Sequence, residues 1–356
     1  MLESFYFLVA INALALAWCS IIFIPTRWIR WGWLWYLQIL VTEWIALSLA
    51  LSILHVLVSP WLLWFPIVII FYIFQRTQIF KEHPSDNSQG LQDLSWPTSL
   101  VKNIWPFHRS VKCVPWSSKT TFMHNGHLRF PTSETPEQLC IHIHGGAWKH
   151  GDARQLSFIS RLFNQLQTEV ISINYKKYPQ DNLSRIISSV EETFLEIYAS
   201  ESPNKKVVLY GRSAGAHLAL MLAAKFSNKI ERVIALYPVT DLSSLVAESS
   251  PNDLLKTPQW IREVTGDSPD NLKLYAQLSP AKLLHPEMPP ILAVHGDNDP
   301  VVNIQQSDLL FREAERKGLD ITYLRFKFAT HGFDALWNGL SMQIFRRVLK
   351  QFLRKS

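Results

Sequence analysis

The stretch Lys206–His217 (KVVLYGRSAGAH) restricts the fold more than any other part of this 356-residue chain. A short apolar run ends at Tyr210, and an Ala- and Leu-rich helical pattern follows over about 214–226. Between them, Gly211-Arg212-Ser213-Ala214-Gly215 forms a G-x-S-x-G pattern. A sharp strand-to-helix turn suits this junction, because small flanking residues let the backbone reverse without collision. Such a turn exposes the Ser213 hydroxyl, and the helix start aims backbone N–H groups at charge developing beside it. Ser213 is therefore the candidate nucleophile and the Ala214 N–H a candidate oxyanion donor. The pattern alone arises often by chance, and its strand and helix context give it weight.

The same alternation continues on both sides. Leu139–His144, Val170–Asn174, Arg232–Tyr237, Ile291–His295 and Ile321–Phe328 read as buried strands, with helical stretches near 155–167 and 183–199. Strand–helix alternation predicts an α/β class with a mostly parallel sheet and helices on both faces. Residues 82–137, with eight prolines and glycines spread among polar residues, predict a linker with short edge strands over about 81–137. The catalytic domain is expected over 138–356, and its long irregular stretch 241–290 reads as a cap-like insertion.

A second turn motif, His144-Gly145-Gly146-Ala147-Trp148, closes the first strong strand. Glycines there let main-chain N–H groups approach a reacting atom, so Gly145 and Gly146 join Ala214 as candidates for the oxyanion hole. A serine hydroxyl also needs a base and an acid to orient that base. Beyond Ser213 the histidines are His217, His285, His295 and His331. His217 lies one turn along the helix after Ser213 and is expected to pack or bond locally. His295 ends a strand and His285 sits in a Pro-flanked loop. His331, in a loop before the last helix, is the candidate base. A carboxylate is then expected between Ser213 and His331 in sequence, and His295-Gly-Asp-Asn-Asp-Pro-Val301 supplies Asp299, with Asp297 expected to hold the turn.

The first eighty residues are a different material. Between Ser4 and Gln75 the only charged residues are Arg27, Arg30 and Glu43, and eight of the fourteen Trp precede residue 80. About twenty apolar residues cross a bilayer, and runs at 5–24, 33–54 and 56–74 meet or approach that length. Residues 1–80 are thus expected to be an all-α membrane anchor. A cleavable leader fits poorly, since no basic residue precedes the first run and no small-residue cleavage site follows it. Basic residues at Arg27, Arg30, Arg76 and Lys81 place the large domain in the cytoplasm. The net charge of +6 is spread along the chain, which argues against nucleic acid. Arg346, Arg347, Lys350, Arg354 and Lys355 cluster on the last helix and read as a solvated face, or as a contact for anionic lipid. Three cysteines without a C-x-x-C pair indicate neither a zinc site nor a disulfide framework.

From about residue 139 onward the chain resembles the α/β-hydrolase superfamily, in its hormone-sensitive-lipase-like, feruloyl-esterase-like and prenylcysteine-methylesterase-like esterase branch. HGGAW at 144–148, GRSAGAH at 211–217, HGDNDPV at 295–301 and HGF at 331–333 carry the resemblance, in that order. Asn174-Tyr-Lys-Lys-Tyr-Pro-Gln180 is similar to a segment after the third strand of such esterases. The resemblance implies a Ser213–His331–Asp299 triad, no metal or organic cofactor, and cleavage of a carboxylic ester through an acyl-Ser213 intermediate. Prenylcysteine-methylesterase-like members also carry membrane segments ahead of the hydrolase domain. An anchored enzyme is expected to take a hydrophobic or lipid-linked ester from the membrane. Rival readings are an acyltransferase, an arylformamidase-type amide hydrolase and a membrane scaffold. Two positions depart from the pattern. HGGAW lacks a third glycine, which leaves the donor open between Gly145 and Gly146. Arg212 stands where relatives carry Asp, Glu or Gln, and reads either as a contact for an anionic substrate or as drift at an exposed turn.

Overall fold

The computed structural model describes residues 50, 111–116, 126–132, 136–155, 157–201, 205–249, 256–266 and 271–354. Apart from residue 50, the three expected membrane spans fall outside these residues. Among the described residues no helix is long and apolar enough to cross a membrane. The chain divides into two compact units, Arg109–His295 with Val301–Arg325, and a second whose described residues are 50, Gly296–Pro300 and 326–354.

The first unit carries the sheet. Its strands are β1 (Val114–Trp116), β2 (His127–Phe130), β3 (Gln138–Ile143), β4 (Thr168–Ile173), β5 (Lys206–Arg212), β6 (Arg232–Leu236), β7 (Ile291–Gly296) and β8 (Ile321–Phe326), in the order β1-β2-β4-β3-β5-β6-β7-β8. β1, β2 and β4 pair antiparallel, and β4, β3, β5, β6 and β7 run parallel. Register follows from apolar residues two apart. Ile141 lies opposite Ile171 on one side and Leu209 on the other, and all three are fully buried. Each such side chain contributes roughly 1.5–3 kcal/mol on burial.

Helices α1 (Phe158–Asn164), α2 (Leu183–Glu201) and α3 (Ala214–Lys225) make the parallel crossovers. α2 buries Leu183, Ile186, Ile187, Val190, Phe194 and Ile197, a three-and-four spacing that makes one apolar stripe. Its start is capped by Asn182, whose Oδ1 accepts from the Arg185 N–H at 3.1 Å. α3 is buried from Ala214 through Ala223, as its Ala- and Leu-rich composition requires. The path β3–α1–β4 moves one way across the sheet, and β4–α2–β5 moves back past β3. Right-handed crossovers then set α1 on one face and α2 and α3 on the other. The reversal falls between β3 and its neighbours, where ligands bind at the strand carboxyl ends in folds of this kind.

The 241–290 stretch holds α4 (Leu242–Ala247), α5 (Thr257–Thr265), α6 (Asn271–Gln277) and α7 (Pro280–Leu283). Gln306, at the start of α8 (Gln305–Arg316), ties it down from full burial. Its Oε1 accepts from the Thr240 and Asp241 N–H groups, both at 2.9 Å, and its Nε2 donates to Ser244 Oγ at 2.7 Å.

In the second unit, helix α9 (Leu340–Arg354) buries Leu340, Ile344, Phe345, Val348, Leu349, Phe352 and Leu353. The expectation of a solvated basic face fails for Arg346. Its guanidinium lies 4.5 Å from the Trp337 ring, and burial lowers its pKa to about 10.

Candidate active site

Ser213 caps α3 with φ 52° and ψ −123°, a conformation that side chains other than glycine rarely adopt. The close packing around it explains the flanking glycines. A Cβ on Gly211 would lie 2.3 Å from the Gly215 carbonyl oxygen, and one on Gly215 would lie 2.1 Å from that of Ile143. The turn is held by the Ser213 N–H donating to the Leu236 carbonyl at 2.9 Å. At the first position of α3, the Ala214 N–H meets no acceptor among the described residues.

The turn after β3 packs beside it. A Cβ on Gly145 would come within 2.9 Å of the Arg212 carbonyl oxygen and 3.3 Å of Ser213 Cβ. Gly146 takes φ +123°, and Ala147 and Trp148 follow at φ 51° and 57°. The Gly145 N–H donates to Gln155 Oε1 at 3.0 Å, so this N–H already has an acceptor. The Gly146 and Ala147 N–H groups meet no acceptor among the described residues. Neither Ala147 nor Gln155 was singled out from the sequence. Ala147 stands where a third glycine of the turn would, which was its available signal, whereas Gln155 had none.

His144 is stacked on Tyr175 with ring centroids 4.3 Å apart, and the Tyr175 hydroxyl donates to the His144 carbonyl at 2.9 Å. Burial pulls the His144 pKa down to about 4 and pushes that of Tyr175 up. The imidazole is therefore a neutral structural wall of the turn.

Four residues beyond the turn differ from their sequence-based expectations or sharpen them. Arg212 is buried, not at an exposed turn, and its guanidinium lies 5.8 Å from the Tyr237 ring. His217 bonds far along the chain instead of locally, through Nε2 to the Leu278 carbonyl at 2.8 Å. His295 is held between Ser307 Oγ at 2.7 Å and the Val302 carbonyl at 3.0 Å. His285 bonds the Ala224 carbonyl at 2.9 Å through Nε2.

In the second unit, His331 Nδ1 lies 2.7 Å from Asp299 Oδ2, with the carboxylate's side chain fully shielded from solvent. Asp297 does something else. Its Oδ1 accepts from the Phe328 N–H at 2.5 Å, and its own N–H donates to the Phe326 carbonyl at 3.0 Å. His331 thus meets one of the two carboxylates, and the other closes a turn. Among the described residues no group of His, Cys, Asp and Glu is arranged to hold a metal.

A mostly parallel sheet, a strained serine at the strand–helix turn after β5 and a glycine turn after β3 define the α/β-hydrolase fold. Residues 128–313, just over half of the chain, match the BD-FAE family, and the chain belongs to that family. Among curated proteins it is similar to the Mycobacterium tuberculosis esterase LipQ, at 26% identity over 55% of this chain and 50% of the relative. It is also similar to the Danio rerio kynurenine formamidase, at 24% over 54% and 65%. The chain therefore spans about half to two-thirds of the length of these relatives. Among solved structures it resembles an acetyl ester-xyloside bifunctional hydrolase from Caldicellulosiruptor lactoaceticus, with TM-score 0.57, 17% identity, and 68% of this chain and 96% of that one covered. Esterase B from Lactobacillus rhamnosis gives TM-score 0.58 at 17% identity, over 72% and 90%.

Proposed function

We propose that this chain is a serine carboxylic ester hydrolase with Ser213 as nucleophile, His331 as base and Asp299 as the orienting acid. The observation that carries the reading is the Ser213 turn itself. A non-glycine residue held at φ 52°, at the start of a buried helix and beside unengaged N–H groups, stores strain of the kind that clusters at active sites. The His331–Asp299 contact supports the rest, because a carboxylate on Nδ1 fixes the tautomer that leaves Nε2 to take a proton.

In this mechanism Ser213 Oγ attacks the ester carbonyl as His331 Nε2 accepts its proton. The tetrahedral oxyanion is held by the N–H groups of Ala214 and Gly146, with Ala147 adjacent. His331 then protonates the departing alcohol, and water activated by the same imidazole releases the acid and restores Ser213. Each donor lost from such a hole lowers kcat by about 10²–10³-fold. Similarity to esterases such as LipQ favours an ester. A second reading, hydrolysis of an aryl formamide by the same groups, is favoured by the similarity to the Danio rerio kynurenine formamidase.

The apolar runs at 5–24, 33–54 and 56–74 make the enzyme a membrane-anchored one in this proposal, with residues 241–290 as a cap and a hydrophobic or lipid-linked ester as substrate. The test is hydrolysis of a p-nitrophenyl acyl ester series, beside N-formyl-arylamines, by detergent-solubilised protein and its Ser213→Ala variant. Turnover of the esters that the substitution abolishes is the expected result. Equal rates in the two proteins contradict the assignment of Ser213, and turnover of the formamides alone favours the second reading.

A further inference from the structure

Among the buried polar atoms near the Ser213 turn that lack partners, His144 Nε2 included, two belong to rings in contact and are of opposite kind. His217 is fully buried, and Trp148 is 2% exposed. Their rings meet edge to face, with centroids 5.2 Å apart and planes at 84°. The Leu278 carbonyl, 2.8 Å from His217 Nε2, can only accept, so the proton sits on Nε2 and Nδ1 carries a lone pair. Burial lowers the His217 pKa to about 4, which keeps the ring neutral at pH 7. His217 Nδ1, an acceptor, and Trp148 Nε1–H, a donor only, each meet no hydrogen-bond partner among the described residues.

Trp148 is the last residue of the strained run that begins at Gly146, and its carbonyl accepts from the Tyr178 N–H at 3.0 Å. A force on its indole is thus a force on the N–H groups of Gly146 and Ala147. We propose that His217 is a positioning residue, which aligns the oxyanion turn by accepting a hydrogen bond from the Trp148 indole, a bond that closes by a small approach of the two rings in the folded protein. The Leu278 carbonyl fixes the imidazole tautomer that makes this possible, so the 241–290 segment helps to set the geometry of the turn. This inference rests on the hydrolase reading proposed above.

Two amides separate the two bonds of His217. In His217→Gln the amide nitrogen stands near the place of Nε2 and keeps the Leu278 bond, while the acceptor at Nδ1 is lost. In His217→Asn the amide oxygen stands near Nδ1 and keeps the acceptor, while the Leu278 bond is lost. The expected result is that H217Q and Trp148→Phe each lower kcat about tenfold at unchanged KM, and that the H217Q/W148F pair is no worse than either alone. H217N is expected to keep kcat within about threefold while its Tm falls. Unchanged kcat in W148F and H217Q, or effects that multiply to about a hundredfold in the pair, overturn the proposal. A wild-type protein inactive on every ester and formamide sinks the hydrolase reading instead. The W148F/H217Q cycle measured on Tm then still judges the hydrogen bond, additive losses counting against it.

Discussion

At the residue scale, two aspartates two positions apart have different duties, and substitution separates them. Asp299 contacts the His331 ring, so Asp299→Asn is expected to lower kcat by about 10³–10⁴-fold with little change in Tm, as loss of an orienting carboxylate does. Asp297 accepts the Phe328 N–H, so Asp297→Ala is expected to cost about 1.5–3 kcal/mol of stability and to spare most of kcat. Steady-state kinetics and thermal melts on the same two variants check both halves, and a reversed pattern contradicts the assignment. The Ser213 turn offers a harsher test of packing. Gly215→Ala places a Cβ 2.1 Å from the Ile143 carbonyl oxygen, so a substitution that is ordinarily mild inside a helix is expected to prevent recovery of folded protein or to lower Tm by many degrees.

At the element scale, the helices between β6 and β7 are tied to the sheet by buried amides as well as by apolar contact. Gln306→Ala leaves the Thr240 and Asp241 N–H groups without their acceptor in a fully buried place, at about 1–3 kcal/mol for each. Urea unfolding is expected to show a loss of roughly 2–5 kcal/mol, and a loss below 1 kcal/mol contradicts the bonding described. Gln306 also marks the limit of what the sequence reveals. β3 to β8 and the three crossover helices were legible because apolar runs, glycine turns and helical spacing are local signals. The strand–turn–helix at Ser213 and the order of the motifs were legible for the same reason. Long-range hydrogen bonds leave no such trace. The Leu278 partner of His217 lies 61 residues away, and the Gln155 amide that occupies the Gly145 N–H belongs to a loop with no motif. Arg212 misled because the G-x-S-x-G turn reads as surface, although the strand beneath it is buried up to its last residue. Arg346 misled in the same way, since a basic run on a helix does not disclose an indole stacked on one of its members.

At the scale of the whole molecule, buried imidazoles couple stability to pH. His144 and His217 both have pKa values lowered by burial to about 4, against 6.5 for the unfolded chain. The unfolded state therefore binds more protons between these limits. Their contribution is fully present above about pH 6.5 and is lost as the pH falls toward 4, at roughly 2–3 kcal/mol for each group. Thermal melts are expected to show Tm falling over that window, and His217→Gln is expected to flatten the slope. A Tm independent of pH from 7 to 4 contradicts neutral burial of both rings. The charge network at the sheet edge, where Arg129 bridges Glu169 and Glu201 and Lys205 also meets Glu169, adds a part that salt screens. The proposed function as a whole stands on a single chemical claim, that Ser213 is a nucleophile with His331 as its base and Asp299 as the orienting acid. Covalent labelling with a fluorophosphonate, read by mass spectrometry of the peptide spanning Gly211–His217, tests it most directly. The account predicts one adduct on Ser213, formed at least about a hundredfold more slowly in Asp299→Asn and His331→Ala; labelling of another serine, or equal rates in those variants, contradicts it.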